Sequence, residues 1–475
     1  MKRIGKVILA VSLAVLMALG VTACGQKAVK GTLAIGNDTA YVAVGNPFVM
    51  TATFVAEDAT ADVSGVRMKW KSSKSSVATV DQNGLVSAVG VGKATITASY
   101  GGQKSTCEVT VFDGENRDVA EMEFSSINIS NKQDKMTINL KKKLGHYYEE
   151  GGEFSLVKDE NGTPIPFTKD GDVITLDWTG AVGLHNWTFE MTKQVVIAEV
   201  CHATHILSKV EDFGPLSADW DVAVAGNTND DLAHQNPTKD WYIVLDANLD
   251  LGMALRDTEE YTFGREYSPG TYNAPNRKLA VFNGVFDGRG YVIKNMHTRQ
   301  GFICNLGPTG VIKNLAFVAC RNGEGIPYYD CDGGFLGHSG LGTVENVFID
   351  AFLYYEDGTA SAMYCHSNEQ SPLRVKNCLV MFYKKPGAEN WGWPNGYRLP
   401  GAFCTYGAPE IINSYAISQH FTRVDGTKEV DNEILFTSYE KWLQSGTYGD
   451  FGGLWEIGEK NIFFGGNVVF QIQEE

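Results

Sequence analysis

The sequence predicts an all-β protein in which small β-sandwiches are followed by a right-handed parallel β-helix, a solenoid of stacked strands. Three observations indicate this fold class. Residues 32–112 alternate apolar and polar side chains in short runs separated by Gly, Asn and Asp turns. Residues 121–200 continue the strand-like pattern. After residue 290, a four-residue unit containing Asn recurs along the chain, which is typical of a repeat architecture.

The first 23 residues have the pattern of a signal peptide. Three basic residues precede an apolar run over 7–21, which at about 15 residues is short for a membrane span. The run ends at Val21-Thr22-Ala23-Cys24, which resembles the lipobox of bacterial lipoproteins. The resemblance implies a signal peptide over 1–23, acyl chains such as palmitate on Cys24 and a tether over 24–31. The protein would then be extracytoplasmic and held at a bacterial cell membrane by its lipid. The alternative is an ordinary secretory signal with a chance Cys.

The charge of the chain limits its partners. The 475 residues carry a formal net charge of −16. Removing residues 1–23 takes three of the 40 basic residues and none of the 56 acidic ones, which leaves −19. An acidic chain without a basic run is a poor binder of nucleic acid, and its own surface does not favour anionic lipid. We therefore expect no nucleic-acid partner, and we expect the N-terminal lipid to provide the membrane contact.

The cysteines suggest neither zinc nor a dense disulfide framework. An exported chain is able to pair its thiols, but no CxxC or Cys/His run is present. The scattered spacing is typical of cysteines used as small buried apolar residues. We predict mostly free, buried thiols, with pairing as the alternative, for Cys107, Cys201, Cys304, Cys320, Cys331, Cys365, Cys378 and Cys404.

Residues 32–112 contain about seven short strands, the number expected of a β-sandwich. Asn83-Gly84 supplies positive φ for a tight hairpin, and Trp70 lies on an alternating strand as a core residue. The string over 70–98 includes Val77-Ala-Thr-Val-Asp, Asn83-Gly and Ala94-Thr-Ile-Thr-Ala. It resembles the bacterial Ig-like domain of group 2. The resemblance implies a surface spacer or adhesion module without catalysis.

The next region is predicted to be a second small β-sandwich over 121–200, after a linker at 113–120. Turns are marked by Asn161-Gly162 and Asp170-Gly171. The basic run 141–143 is expected to form a solvated face. A short helix is expected near 210–216, before the strand-like run 241–251.

The repeat unit has the form aliphatic, any residue, Asn, any residue. It begins at Ile293, Ile312, Val344, Val375 and Ile411, and a small residue followed by a bulky apolar one precedes most copies. A parallel β-helix explains both units, because equivalent residues of successive turns stack. Asn tolerates left-handed φ and caps its own turn. We predict a corner ladder of Asn295, Asn314, Asn346, Asn377 and Asn413, and an internal stack of Phe302, Phe335, Met363 and Phe403.

The string over 282–296, Phe-Asn-Gly-Val-Phe-Asp-Gly-Arg-Gly-Tyr-Val-Ile-Lys-Asn-Met, resembles a rung near the start of pectin-lyase-like β-helices and of GLUG-repeat surface proteins. The resemblance covers about 240–420 and implies a fold more than a function. We assign the β-helix domain to 201–424, and residues 425–475, with a helix over 438–444, to a cap on its open end.

Pectin-lyase-like enzymes need clustered carboxylates and a base, and the sequence contains no matching series. Asp287 marks a turn and is expected to be structural. Asp330 and Asp332, near His338, are expected to lie in a solvated loop. No catalytic residue and no cofactor is therefore assigned, and the metal content is left open.

Aromatic loops are the better candidates for binding. Exposed rings pack against the C–H faces of sugars, while polar side chains bind the hydroxyl groups. The alternative is that the rings close a loop onto the solenoid. The candidate glycan-binding residues are Trp391, Trp393, Tyr397 and Arg398, with Tyr328 and Tyr329 in an earlier loop.

These observations predict a non-catalytic cell-surface lipoprotein that displays a β-helix for binding a polysaccharide or a surface protein, as in adhesion. Two alternatives stay open. One is a divergent polysaccharide lyase or glycoside hydrolase that acts on extracellular polysaccharide. The other is a structural protein of the cell envelope.

Overall fold

The protein is described from a computed structural model. The description covers residues 29–115, 117–122, 125, 127–130, 136–224, 238–252, 281–298, 301–303, 305–322, 334–353, 361, 363–367, 371–384, 403–418, 435–446 and 448–472. The described chain is all-β, as predicted from the sequence. None of its described helices is both long enough and apolar enough to cross a membrane.

The first domain is a β-sandwich whose core contains Trp70 and Val86. Its larger sheet has the order β2-β9-β8-β5, and the facing strands pair as β3-β7-β6 and β1-β4. Gly84 has φ +83°, and a Cβ there would lie 2.4 Å from the carbonyl oxygen of Met50, so this hairpin requires glycine. The strands are β1 Gly31–Ile35, β2 Thr39–Ala43, β3 Pro47–Val49, β4 Ala52–Ala56, β5 Lys69–Ser72, β6 Ala78–Val80, β7 Leu85–Ala88, β8 Gly92–Tyr100 and β9 Gln103–Phe112.

The second domain contains one sheet of order β10-β17-β16-β13, with β11 also on β17, and a smaller sheet β12-β15-β14. Trp187 and Phe189 are fully buried in its core. The elements are β10 Asp118–Glu121, β11 Ile127–Ser130, β12 Met136–Asn139, α1 Leu140–Leu144, α2 His146–Glu150, β13 Phe154–Lys158, β14 Phe167–Asp170, β15 Val173–Leu176, β16 Gly183–Met191 and β17 Gln194–Ala203.

The basic run 141–143 is predicted to form a solvated face; Lys141 and Lys142 are exposed, whereas Lys143 is half-buried. The run forms α1, capped by Asn139, which accepts a hydrogen bond from the Lys142 N–H at 2.8 Å. Leu140 and Leu144 are buried beneath the helix. The Lys143 side chain is only 11% exposed, and its Nζ lies 2.5 Å from Asp246 Oδ1. This ion pair joins the second domain to the third region of the chain.

The third region is a stack of parallel strands. It begins with β18, a 3-10 turn at Val210–Asp212 and α3 Phe213–Val224, so the helix predicted near 210–216 is longer and starts later. The pairings between its described strands are parallel. The strands are β18 His205–Leu207, β19 Tyr242–Leu245, β20 Leu249–Asp250, β21 Val285–Asp287, β22 Val292–Lys294, β23 His297–Thr298, β24 Asn305–Leu306, β25 Val311–Asn322, β26 Gly337–Gly340, β27 Thr343–Leu353, β28 Tyr364–His366, β29 Arg374–Lys376, β30 Leu379–Lys384, β31 Cys404–Tyr406, β32 Glu410–Ile412, β33 Tyr415–Ile417 and β34 Leu435–Phe436.

Successive turns of this stack align in three columns of strands. The long strands β25 and β27 each belong to two columns. The first column contains their first halves together with β21, β29 and β32. The second column contains their second halves together with β22, β30 and β33. The third column has the order β24-β26-β28-β31. Apolar side chains fill the space between the columns, which is why the repeat unit begins with an inward aliphatic residue two positions before each Asn.

The four residues of the predicted internal stack are all buried in this core. Phe302 N–H donates to the Phe335 carbonyl at 3.1 Å, and the rings of Phe286, Phe302, Phe317 and Phe335 meet edge to face at centroid distances of 5.0–5.1 Å. Such pairs add about 0.5–1.5 kcal/mol each beyond the burial of their area. The aromatic residues therefore stabilise the stack between turns.

The C-terminal segment consists of α4 Tyr439–Ser445 and the antiparallel strands β35 Trp455–Ile457, β36 Asn461–Phe464 and β37 Asn467–Gln471. Ser438 caps α4 by accepting a hydrogen bond from the Lys441 N–H at 3.3 Å. We expected residues 425–475 to cover the open end of the stack. The described part adds β34 at the last turn and then packs along the outer face of the second column, against Phe348, Leu379 and Tyr415. It covers this face because those outward residues are apolar.

A carboxylate on this outer face is expected to make stability depend on pH. Burial raises the pKa of Asp350 to about 6, and its Oδ2 accepts a hydrogen bond from the Ala319 N–H at 3.3 Å. A raised carboxyl pKa penalises the charged form, so the penalty is complete above about pH 6 and is lost as the pH falls below the unfolded pKa. Asp350→Asn is expected to increase the free energy of unfolding at pH 7.5 by up to about 3 kcal/mol, and by only about 0.5 kcal/mol at pH 4. Urea unfolding at both pH values measures this difference; a constant difference between the two proteins would contradict it.

Candidate functional site

Most of the residues predicted to bind ligand lie outside the described residues. These are the lipidation site Cys24 and the aromatic candidates Trp391, Trp393, Tyr397, Arg398, Tyr328 and Tyr329. Asp330 and Asp332 also lie outside. His338 is described on β26, where its ring centroid lies 4.7 Å from that of His366 on the next turn.

The repeated asparagines adopt left-handed backbone conformations, with φ between 42° and 55°. Four of them occupy one corner of the stack, because the register pairs Asn314, Asn346, Asn377 and Asn413 on successive turns. Asn346 Nδ2 donates to Asn314 Oδ1 at 3.1 Å, and Asn413 Nδ2 donates to Asn377 Oδ1 at 2.9 Å. At this corner Asn satisfies both the backbone conformation and the amide contacts between turns.

Asn295 lies at a different corner from the other four. The register pairs Lys294 with Val318, which puts Asn295 beside Ala319 and not beside Asn314. Its Nδ2 donates to Asp250 Oδ1 at 2.8 Å. The sequence contains one sign of this difference: 19 residues separate Asn295 from Asn314, whereas 31–36 residues separate the other neighbouring pairs. On the turn before Asn314, the register places Asp287 opposite Lys313, and the Asp287 carboxylate bonds to the Asn314 amide.

Asp287 lies at the end of β21, next to the corner column, and its side chain is fully buried. Its Oδ1 accepts hydrogen bonds from Asn314 Nδ2 and from the Arg289 backbone N–H, both at 3.0 Å. Its Oδ2 accepts from the Tyr242 hydroxyl at 3.1 Å, and Lys313 Nζ lies 3.4 Å away. Burial, followed by the charge of Asp287, raises the pKa of Tyr242, so the phenol remains a donor to the carboxylate.

Arg289 extends this network to the second domain. The residue is 2% exposed and has φ +51°. Its Nη1 donates to the Glu199 carboxylate on β17, and its Nη2 donates to the carbonyl of Ser125. The Asp-Gly-Arg-Gly turn therefore fixes the second domain against the first turns of the stack. This network is structural, since its central side chains, Asp287 and Arg289, are buried and bond to groups of the protein itself.

Four of the described thiols are enclosed in the protein. Cys107, Cys201, Cys320 and Cys378 are free and buried. Burial raises the pKa of Cys201 and Cys378 to about 12, so both are protonated at neutral pH and unreactive. In the described ranges, no group of three or more His, Cys, Asp or Glu side chains is placed to hold a metal ion.

A cleft of about 530 Å³ lies between the second domain and the start of the stack. Residues of β11 and β12 form one wall; β18, the 3-10 turn and α3 form the other. The volume lies within the range of small-ligand sites, about 300–1,000 Å³. We refer to this site as the junction cleft.

Two hydrogen-bonded groups line the junction cleft. In the first, Asp246 Oδ1 accepts from Asn128 Nδ2 at 2.8 Å and from Lys143 Nζ at 2.5 Å. In the second, His205 has Nε2 3.1 Å from Asp219 Oδ2 and Nδ1 2.9 Å from the Thr204 hydroxyl. His205 and Asn128 are each 9% exposed. The protein therefore holds several polar side chains in fixed positions around one cavity.

Sequence reasoning missed the junction cleft entirely. Its polar residues come from segments near 128, 205, 219 and 246, which share no motif and no common spacing. The one local signal was Asp246, a charged residue that interrupts the apolar strand pattern 241–251. Only the docking of the second domain on β18 and β19 brings these segments together.

Comparisons with known proteins agree with the first domain. The family model of the bacterial Ig-like domain (group 2) matches residues 34–111. A search of curated proteins gives no match. Similar solved structures include domains 5–6 of the S-layer protein SbsC, with 16% identity, 36% of this chain and 99% of that chain covered, and a TM-score of 0.18. Domains 4–9 of SbsC match with 16% identity and a TM-score of 0.18, and the match covers 40% of this chain and 36% of that chain.

The tandem Ig repeats of Dlar match with 11% identity, coverage of 36% of this chain and 98% of that chain, and a TM-score of 0.16. These overall similarities are low and carry no argument about this protein. The family match covers the strands, the Gly84 turn and the Trp70 core described above. Residues 34–111 are therefore a bacterial Ig-like domain of group 2.

Proposed function

We propose that the chain is a non-catalytic lipoprotein of the bacterial cell surface, in which the Ig-like domain carries a right-handed parallel β-helix that binds glycan. The observation that carries the proposal is the relation between β30 and β31. Strand β30 of the second column ends at Lys384, and β31, the next strand along the chain that the structure describes, starts at Cys404 in the third column. In the sequence, the aromatic segment that contains Trp391 and Trp393 lies between these two strands.

The β-helix assignment is supported by the parallel register. Strands of successive turns pair over three columns, and the side chains between the columns form one apolar core. The corner asparagines and the aromatic contacts repeat with the same turns. A solenoid of this kind presents its connecting loops on the outside, where a long polymer is able to contact several turns.

The surface location is supported by two features at the N-terminal end. The basic residues, the apolar run and Val21-Thr22-Ala23-Cys24 form a lipoprotein signal pattern. The bacterial Ig-like domain follows directly after it. Stable anchoring takes more than one acyl chain, and a lipidated N-terminal Cys is able to carry them. The Ig-like domain would then separate the binding region from the membrane.

The test combines location with binding. Cys24→Ser is expected to move the protein from the membrane fraction of the expressing cells to the medium. The purified mature protein is screened against immobilised neutral and acidic polysaccharides, scored for retention and for cleavage. Trp391→Ala and Trp393→Ala are expected to weaken retention at least tenfold, while Trp178→Phe, a conservative control outside the loop, leaves it unchanged. Membrane retention of Cys24→Ser, polysaccharide cleavage, or equal retention of all variants at unchanged melting temperature would contradict the proposal.

A further inference from the structure

We propose that Lys158 and Asn46 form an isopeptide bond, a covalent link between a side chain of the second domain and one of the Ig-like domain. The observation that carries the inference is that both side chains contact one buried carboxylate, that of Glu190. An amine, a carboxamide and a carboxylate supply the nucleophile, the acyl carbon and the general acid–base that such a bond requires. The inference does not depend on the proposed binding of glycan.

The backbone holds each of the three side chains in a fixed position. Asn46 lies in the turn between β2 and β3, where its N–H donates to the Ala43 carbonyl at 3.1 Å and its carbonyl accepts from the Ala88 N–H at 3.3 Å. Lys158 is the last residue of β13, and Glu190 lies on β16, which pairs with β13. Folding therefore brings the reacting groups together, and the reaction itself does not bear that entropic cost.

The atoms of the three groups are in contact. Lys158 Nζ lies 2.5 Å from Glu190 Oε1 and donates to Asn46 Oδ1 at 3.4 Å. Asn46 Nδ2 donates to Glu190 Oε2 at 2.9 Å. An ammonium group only donates and a carboxylate only accepts, so the amide has its oxygen toward the lysine and its nitrogen toward the glutamate. This orientation turns the leaving nitrogen toward the group that has to protonate it.

The amine is close to the carbon atom that it would attack. A carbonyl bond is about 1.2 Å long, so Asn46 Cγ lies within about 4.6 Å of Lys158 Nζ, across the 3.4 Å hydrogen bond to Oδ1. Reacting atoms in a productive geometry are about 3–3.5 Å apart. A rotation about the terminal bonds of the flexible lysine side chain is sufficient to close this gap.

The carboxylate between the two reactants is shielded from water. The side chain of Glu190 is 5% exposed and that of Lys158 is 20% exposed. Arg117 Nη2 lies 2.8 Å from Glu190 Oε2, and Arg117 Nη1 donates to the Met191 carbonyl at 3.1 Å, so the carboxylate is held in place. Exclusion of water limits hydrolysis of the amide and leaves the lysine amine as the nucleophile.

The reaction balances without a cofactor or an oxidant. A proton passes from the Lys158 ammonium to Glu190, and the neutral amine attacks Asn46 Cγ to form the Nζ–Cγ bond. Glu190 then gives this proton to Nδ2 and takes a second one from Nζ. The Cγ–Nδ2 bond breaks, and ammonia leaves. The ammonia becomes ammonium by taking the second proton from Glu190, which restores the carboxylate.

The bond would close the chain from residue 46 to residue 158 into a covalent loop that contains the linker 113–120. A cross-link over a loop of this length restricts the unfolded chain and so favours the folded state. It would also keep the first two domains joined after a cut in the linker, which ion pairs do not achieve once the protein is denatured.

Mass spectrometry of the full purified protein tests the bond directly. A tryptic digest is expected to contain a branched peptide that joins residues 31–67 to residues 144–169. This peptide is expected to weigh about 17 Da less than its two parts together, since one ammonia is lost. Recovery of 31–67 and 144–158 only as separate peptides of unchanged mass would overturn the inference, and so would an ammonia loss that maps to another residue.

Three variants separate the chemistry from the ion pairs. Glu190→Gln removes the acid–base group, and Lys158→Arg removes the attacking amine but keeps the positive charge, so both are expected to lack the branched peptide. Lys93→Arg changes a lysine of an exposed ion pair and is expected to retain it. A branched peptide at residues 31–67 in the Lys158→Arg digest would overturn the assignment. The result for the unmodified chain decides the matter even if Glu190→Gln fails to fold.

A denaturing gel gives an independent measurement. After a single proteolytic cut within the linker 113–120, the two fragments of the unmodified chain are expected to migrate as one joined species under reducing conditions. The fragments of Lys158→Arg are expected to separate. Separation of the fragments in both proteins would show that Lys158, Glu190 and Asn46 form a non-covalent network only.

Discussion

Replacing Asp287 with alanine is expected to lower the free energy of unfolding by about 3–5 kcal/mol, because it leaves buried positive and donor groups without their acceptor. The carboxylate is fully enclosed. It accepts hydrogen bonds from Tyr242, Asn314 and the Arg289 backbone and lies 3.4 Å from Lys313 Nζ. Without it, Arg289 would stay buried with Glu199 as its remaining carboxylate partner.

Asp250 provides a matched control. It accepts a hydrogen bond from Asn295 Nδ2 at 2.8 Å, just as Asp287 accepts one from Asn314 Nδ2 at 3.0 Å. Asp250 is exposed, so Asp250→Ala is expected to cost less than about 1 kcal/mol. Urea unfolding followed by circular dichroism measures both changes. Similar costs for the two variants would show that the Asp287 network contributes nothing beyond one surface hydrogen bond.

Replacing Glu190 with alanine is expected to cost about 3–5 kcal/mol as well, and to loosen the contact between the first two domains. Glu190 is 4% exposed on β16. Its carboxylate lies 2.8 Å from Arg117 Nη2 and 2.5 Å from Lys158 Nζ, and it accepts from Asn46 Nδ2 at 2.9 Å. Removing it leaves two cations close together. Asn46 of the first domain loses the acceptor of its Nδ2 and keeps only the bond that its Oδ1 accepts from Lys158 Nζ, at 3.4 Å.

The control for Glu190 is the exposed pair of Lys93 and Glu108, whose side chains are 65% and 50% exposed. Glu108→Ala is expected to change the free energy of unfolding by less than about 1 kcal/mol, as is usual for surface ion pairs. Limited proteolysis of the native protein gives a second measurement, since Glu190→Ala is expected to speed cleavage near residues 113–117. An unchanged cleavage rate together with a small stability loss would show that the two domains are held by apolar contacts instead.

Local sequence patterns were sufficient for the Ig-like domain. Trp70, the Asn83-Gly84 turn and the alternating strand β8 lie within 30 residues of one another, and each has a backbone or packing requirement that few other residues satisfy. The all-β class followed from the same kind of signal. These features are predictable because the residues that cause them are neighbours along the chain.

The corner asparagines show where local reasoning ends. That Asn suits a left-handed corner is a property of the residue itself, and all five have positive φ. Which of them share a corner depends on the register between turns, and that register separates Asn295 from the other four. Asp287 bonds to this column without matching the repeat: the strand pairing puts it opposite Lys313, and its carboxylate accepts from the amide of the neighbouring Asn314. Because the carboxylate is buried, its charge is acceptable only with such partners.

The sequence by itself determined the strand content, the Ig-like domain and the residues suited to tight corners, because these follow from side-chain pattern and backbone preference within a few residues. Only the tertiary structure decided the position of the C-terminal segment on the outer face, the burial of Lys143 and the junction cleft. Each of those depends on contacts between segments that are far apart in sequence, such as Lys143 with Asp246. Their free energies arise from burial and charge pairing after docking, and no short-range pattern records which segments will meet.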